Sequence, residues 1–224
     1  AGCELGPHVH LTGHTAIGAE NRFHTGSVIG DAPQDLKYGG EPTRLIIGER
    51  NLFREHVTIH RSNTPSEDTQ IGSENFFMAN SHIGHNSIIG NKAILANGVL
   101  IAGHAMIGDG AFLAGNAVVH QFCRVGAMAM MQGCAGVSLD LPPFTIVRGI
   151  NGMCGLNSVG LKRAGFSPEE RSQLKKAYHA IFLSDDLLKA ALEKARAEFT
   201  GVLAEQLIDF VATSQRGTCS HTKR

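Results

Sequence analysis

The 224-residue sequence contains no tryptophan and only two tyrosines, and no apolar run approaches the ~18 residues that span a bilayer. It shows no signal peptide at its first residue. An integral membrane protein is therefore not expected. Lysine plus arginine balance aspartate plus glutamate at 20 each, so no net field draws nucleic acid or an anionic membrane surface. The five cysteines are an odd number without a CxxC pair, which argues against a disulfide framework and against a zinc knuckle. A reducing cytosol is the simplest setting, so a cytoplasmic location is expected. The chain opens at Ala1 rather than Met and already inside a repeat, so further N-terminal residues are expected upstream.

What the sequence has instead is glycine, 27 residues of it, and a period. From Ile71 an apolar residue recurs at every sixth position: Ile71, Phe77, Ile83, Ile89, Leu95, Ile101, Ile107, Leu113, Val119, Val125 and Met131. Four residues after each stands a mostly small one, from Asn75, Ser81 and Ser87 to Ala129 and Ala135. Six fits neither the 3.6-residue helix nor ordinary hairpins. It fits short strands meeting at corners, with the branched residue inside and the small one at the bend. Three hexads make one triangular coil of 18 residues, and coils stack as parallel strands about 4.8 Å apart. The same register appears at Ile17, Phe23 and Ile29 and at Ile47, Phe53 and Ile59. Residues 31–44 and 61–70 put charged residues and proline where the pattern wants apolar groups. They are expected to be loops leaving the coil, and long loops in compact folds are usually functional.

The pattern ends after Pro142-Pro143. Ser167-Pro168-Glu169-Glu170 is a helix start, with an N-cap, proline at N1 and glutamate at N3. Helical spacing follows through Leu174, Tyr178 and Ile181, then Leu188 to Phe199, then Leu203 to Val211. The expected organisation is a coil over residues 1–150 and a small helical domain over 151–224 that covers the open end of the last coil.

Several segments are specific. Gln34-Asp35-Leu36-Lys37-Tyr38 precedes Gly40-Glu41-Pro42-Thr43-Arg44 and Val57-Thr58-Ile59-His60-Arg61. Asn80-Ser81-His82-Ile83-Gly84-His85, Leu100-Ile101-Ala102-Gly103-His104, Val119-His120-Gln121-Phe122-Cys123 and Gly160-Leu161-Lys162-Arg163-Ala164-Gly165-Phe166 follow. In this order and spacing they resemble the signature blocks of the UDP-N-acetylglucosamine O-acyltransferases of lipid A biosynthesis. The resemblance implies an all-β left-handed parallel β-helix followed by a small α-helical C-terminal domain, with about two further coils ahead of Ala1. It implies transfer of an (R)-3-hydroxyacyl group from acyl carrier protein to the 3-hydroxyl of UDP-N-acetylglucosamine, no cofactor and no metal, and a homotrimer with active sites between subunits.

The 18-residue coil supports this independently, because positions 85, 103 and 121 fall above one another. His85, Gly103 and Gln121 form a column, with His104 and His120 beside it and His82 three residues earlier. Acyl transfer to a sugar hydroxyl needs a base for the hydroxyl proton, a role assigned to His85. The resemblance implies the backbone N–H of Gly103 as the oxyanion donor. It also implies substrate contacts for Gln34, Asp35 and Lys37 in the first loop, for His82 and Gln121, and for His104 and His120 at the sugar or diphosphate. Asn157 and Arg163 are implied at the nucleotide, and Gly133 where acyl length is set. Positive charge at Lys162, Arg163, Lys175 and Lys176 is suited to an acidic carrier protein. The chain departs from the family it resembles at Asn86, where members of that family often carry aspartate after the histidine matched by His85. An amide orients a ring without contributing charge, so His85 is expected to be a weaker base or to draw on a carboxylate from elsewhere. Transfer to a 3-amino sugar nucleotide is an alternative, as is a zinc carbonic anhydrase-like enzyme using His82, His85 and His104.

Overall fold

The structure of the chain, a computed structural model, describes residues 1–222. The hexads fold into a three-sided coil whose faces are parallel sheets of ten, seven and six strands, the antiparallel strand Gly152–Leu156 in the largest excepted. Register follows the 18-residue period: Phe77 pairs with Leu95, Ile83 with Ile101 and Ile89 with Ile107. The loops appear as breaks in that arithmetic. Ile29 pairs with Ile59, 30 residues on, and Ile59 with Ile83, 24 residues on, so the first loop adds twelve residues to a turn and the second adds six.

Every hexad residue from Ile71 to Met131 is buried, as is every small residue at the following bend. Burial of this continuous apolar column, at roughly 25 cal/mol per Å², is the main force holding the coil. Phe23, Phe53 and Phe77 stack inside it with centroids 4.7 and 4.9 Å apart and planes within 3°, which is the strand spacing expressed in side chains.

Two strand groups lie inside the expected span of 1–150 but outside the hexads singled out from sequence. Strands Glu4–Leu5 and His10–Leu11 already pair with Arg22–Phe23 and Val28–Ile29. Leu5 and Leu11 keep the six-residue register of Ile17 and are 57% and 40% exposed. At the other end, Pro142-Pro143 turns a corner rather than stopping the coil. Strand Thr145–Arg148 pairs in parallel with Met130–Met131 before reversing into Gly152–Leu156.

Helices α1 (Ser158–Arg163), α2 (Pro168–Phe182), α3 (Leu188–Glu198) and α4 (Val202–Ala212) follow. The Ser167/Glu170 capping box forms as expected. Leu174, Tyr178 and Ile181 of α2 pack with Leu203, Leu207 and Ile208 of α4. The buried Asp140 carboxylate accepts from Arg124 Nε at 2.9 Å, and the same guanidinium donates to Phe210 O at 2.9 Å and lies over the Phe210 ring. This bolts α4 to the last coil. Ser220–His221 then returns to pair with Gly152–Met153.

Candidate active site

One corner of the coil carries the histidines. It follows strands His82–Ile83, Leu100–Ile101 and Val118–Val119, so residues 84–87, 102–105 and 120–123 stack coil on coil. The third residue of each bend, Asn86, His104 and Phe122, is in the left-handed region with φ between 58° and 64°. His104 and Phe122 stack there with centroids 4.6 Å apart.

Beside this corner runs a groove of about 780 Å³, lined by Gln34, His60, His82, His85, Gly103, His120 and Gln121 and by apolar Leu100, Val118 and Ile150. Of the residues expected to act, His85, Gly103, Gln34, His82, His120 and Gln121 meet in this one groove. His104 stands edge-on to His85, with centroids 5.2 Å apart, and lines the adjoining cavity. Asp35 does not line the groove; its oxygens accept from Lys37 N at 3.0 Å and Asn63 Nδ2 at 2.7 Å. Those two hydrogen bonds hold its carboxyl below the ordinary carboxylate range. Lys37 is exposed. Asn157, Arg163 and Gly133 do not line the groove. Asn157 caps α1 by accepting from Gly160 N and donates to Met128 O, while Gly133 sits on the corner between the ten- and seven-stranded faces, where an added Cβ would meet only Gly115 O at 3.6 Å.

The His85 ring is held in one orientation. His85 Nδ1 lies 2.9 Å from Asn86 Oδ1, so it carries the ring hydrogen and leaves Nε2 with a free lone pair. Gly103 must lack a side chain, because a Cβ there would stand 2.8 Å from both Cε1 and Nε2 of His85. Among the described residues the Gly103 N–H has no hydrogen-bond acceptor. A proton acceptor and an uncommitted backbone donor thus share one end of the groove.

Burial disfavours the charged form of the neighbouring rings. His82 Nδ1 bonds Thr58 Oγ1 at 2.8 Å, and burial, reinforced by the nearby His60 and His85, depresses its pKa to about 4. Burial also lowers His60 and His104, though Glu67 and Asp35 partly offset this at His104. Among the described residues no group of three or more histidine, cysteine, aspartate or glutamate side chains is placed to hold a metal ion. Three residues of this neighbourhood were not singled out from sequence: His60, buried edge-on to His82 with Nδ1 unpartnered, and Asn63 and Glu67 of the second loop. The only sequence signal for Asn63 and Glu67 was that their loop breaks the period.

A left-handed parallel β-helix of hexapeptide repeats, closed by helices and carrying a histidine-lined groove, defines a hexapeptide-repeat transferase. The bacterial transferase hexapeptide model matches residues 68–103, and the model for domain 2 of UDP-N-acetylglucosamine O-acyltransferase matches residues 140–219. The chain is 44% identical over 211 residues to the acyl-(acyl-carrier-protein)–UDP-N-acetylglucosamine O-acyltransferase of Anaeromyxobacter sp. (strain Fw109-5), covering 92% of this chain and 82% of that one. It is similar to the solved UDP-N-acetylglucosamine acyltransferase structures from Bacteroides fragilis 9343 (34% identity, TM-score 0.89, 97% and 95% covered) and Francisella novicida (32%, 0.89, 99% and 91%). The chain belongs to the acyl-(acyl-carrier-protein)–UDP-N-acetylglucosamine O-acyltransferase family.

Proposed function

We propose that the chain transfers an (R)-3-hydroxyacyl group from acyl carrier protein to the 3-hydroxyl of UDP-N-acetylglucosamine, the first step of lipid A biosynthesis. The observation that carries this reading is that the His85 ring and the Gly103 N–H, which has no acceptor among the described residues, line one groove. Nε2 takes the proton of the sugar hydroxyl as its oxygen attacks the thioester carbonyl. The new C–O bond leaves a tetrahedral oxyanion facing the Gly103 N–H, a fixed backbone donor that stabilises the developing charge. The C–S bond then breaks, and the His85 imidazolium returns the proton to the departing thiolate. No covalent enzyme intermediate is required.

Gln34, His82, His120 and Gln121 line the path the sugar nucleotide takes, and the neutral His82 reads it by hydrogen bonding rather than charge. Asp35, Lys37 and His104 flank that path. Asn157 and Arg163 stand away from the groove of their own chain, and the groove's apolar wall exposes Leu100, Val118 and Ile150 by 48%, 41% and 72%. Both facts support a homotrimer in which a neighbour closes the site and offers its Asn157 and Arg163 to the nucleotide and its Gly133 corner to the acyl chain. The setting proposed is the cytoplasm.

The test is transfer from (R)-3-hydroxyacyl carrier proteins of several chain lengths to UDP-N-acetylglucosamine. The parent protein is expected to form the ester, and His85→Ala to lose about 10²–10⁴-fold in kcat with an unchanged melting temperature. Comparable turnover by both proteins would refute the assignment of the base.

A further inference from the structure

Behind the His85 ring, the second loop closes a chain of hydrogen bonds whose polarity is fixed by what each group can do. The backbone N–H of Asn63, which only donates, lies 3.0 Å from Asn86 Oδ1. The Glu67 carboxylate, which only accepts, lies 3.0 Å from Asn86 Nδ2. Both constraints set the Asn86 amide the same way round, and Ser62 Oγ, 2.9 Å from Nδ2, is compatible with it. The amide oxygen therefore faces His85 Nδ1, which must donate.

We propose that Glu67 is the positioning carboxylate of the general base, acting on His85 through the Asn86 amide. This rests on the reading that His85 Nε2 takes the sugar proton. When it does, the ring becomes a cation, and Glu67 stabilises that cation by polarising the amide from its far side. The ionisable groups around His85 are His60, His82 and His104 on the coil, Asp35 on the first loop and Glu67 on the second. Of the two carboxylates, Asp35 bonds the Asn63 side chain, whereas only Glu67 bonds the amide that holds the ring. The same Glu67 Oε2 is 3.7 Å from His104 Nδ1, so its charge serves both rings of the corner.

The geometry offers a charge swap as the test. Asn86 has φ 58°, a left-handed conformation that aspartate tolerates as asparagine does. Carboxyl groups at both positions 67 and 86 would stand about 3.0 Å apart and could not both be ionised without repulsion, so one is exchanged for the other. Glu67→Gln is expected to lower kcat about fivefold, the range for a half-exposed charge, with KM for the sugar nucleotide unchanged and the acid limb of the kcat profile moved to lower pH. Adding Asn86→Asp to Glu67→Gln restores a carboxylate beside the ring and is expected to return kcat to within about twofold of the parent. A parent-like profile in Glu67→Gln, or a loss that the double variant does not repair, would overturn the proposal. If the parent itself transfers no acyl group to UDP-N-acetylglucosamine, the preceding reading fails, and ring-nitrogen NMR still decides this one. Glu67→Gln must then lower the pH at which the His85 ring takes its second proton, and an unchanged titration rejects the role of Glu67.

Discussion

Two corners of the same coil have the same backbone and opposite uses. At residues 72–75, 90–93 and 108–111 the second position of the bend is Ser73, Asn91 or Asp109, and each side chain accepts the N–H of the coil below it. Glu49 N bonds Ser73 Oγ at 3.0 Å, Ser73 N bonds Asn91 Oδ1 at 2.8 Å, and Asn91 N bonds Asp109 Oδ1 at 2.7 Å. Inside that corner Asn21, Asn51 and Asn75 form a buried ladder. At residues 84–87, 102–105 and 120–123 the second position is His85, Gly103 or Gln121 and no such ladder forms. Third residues are left-handed at both corners: Glu74, Lys92 and Gly110 in one, Asn86, His104 and Phe122 in the other. A repeat fold thus acquires chemistry without changing its chain path. One corner closes its polar groups on themselves, and the other turns them toward a groove.

The sharpest way to break the comparison is to put a side chain where only one corner forbids it. In Gly103→Ala the new Cβ would lie 2.8 Å from the His85 ring, displacing the base from its acceptor position. Misplacement on this scale is expected to reduce kcat by about 10²-fold or more, with a melting temperature near the parent's. Gly115→Ala makes the same change at the second position of a neighbouring corner, where the Cβ would meet only Asn97 O at 3.5 Å. It should leave the His85 ring in place, and any effect on turnover should vary with acyl-chain length, because this corner carries Gly133. Equal activity in the two variants would mean that the histidine corner has no special geometry.

The structural corner should fail in the opposite sense. Asn51 Nδ2 donates to Asn21 Oδ1 and Gly72 O, each at 2.9 Å, and its Oδ1 accepts from Asn75 N at 2.9 Å. Asn51→Ala strands those partners in the interior and is expected to cost about 2 kcal/mol, read as a lower urea midpoint. The kcat of the folded fraction should stay at the parent value. A loss of kcat without a loss of stability would show that the two corners are coupled.

The division between the corners also governs what could be read from sequence. The hexads announce themselves because each places an apolar residue in a column where every member is buried, so Ile71 through Met131 need no structure to be found. The column of positions 85, 103 and 121 follows from the same arithmetic. Leu5 and Leu11 keep the register but are half-exposed at the coil's open end. Thr145–Arg148 was hidden because its strand pairs with a shortened turn, Val147 opposite Met131, 16 residues apart. Asn63 and Glu67 obey no period at all. They reach His85 only because a six-residue insertion folds the second loop back over the corner, and insertions carry length but no register. His60 belongs to the segment Val57–Arg61, yet its burial against His82 depends on two coils being stacked.

The smallest expected effect sharpens the comparison through pH. An unfolded histidine titrates near 6.5, whereas folded His82 is held at about 4, chiefly by burial. Between those values the unfolded chain binds more protons, so the contribution of His82 to stability is present above about pH 6.5 and is lost as pH falls toward 4. His60 and His104 are shifted in the same direction, while the asparagine ladder does not titrate. Melting temperatures taken from pH 7.5 to 4.5 should therefore fall less steeply for His82→Gln, which can still bond Thr58, than for the parent. The difference at the acid end should be on the order of 1 kcal/mol, below the full shift because the ring is not wholly enclosed. Parallel curves would place the acid sensitivity elsewhere and remove the energetic distinction between the corners. Converging curves would show that the histidine corner holds its rings neutral at the expense of acid stability, the condition under which His82 can share a groove with a base that must itself become charged.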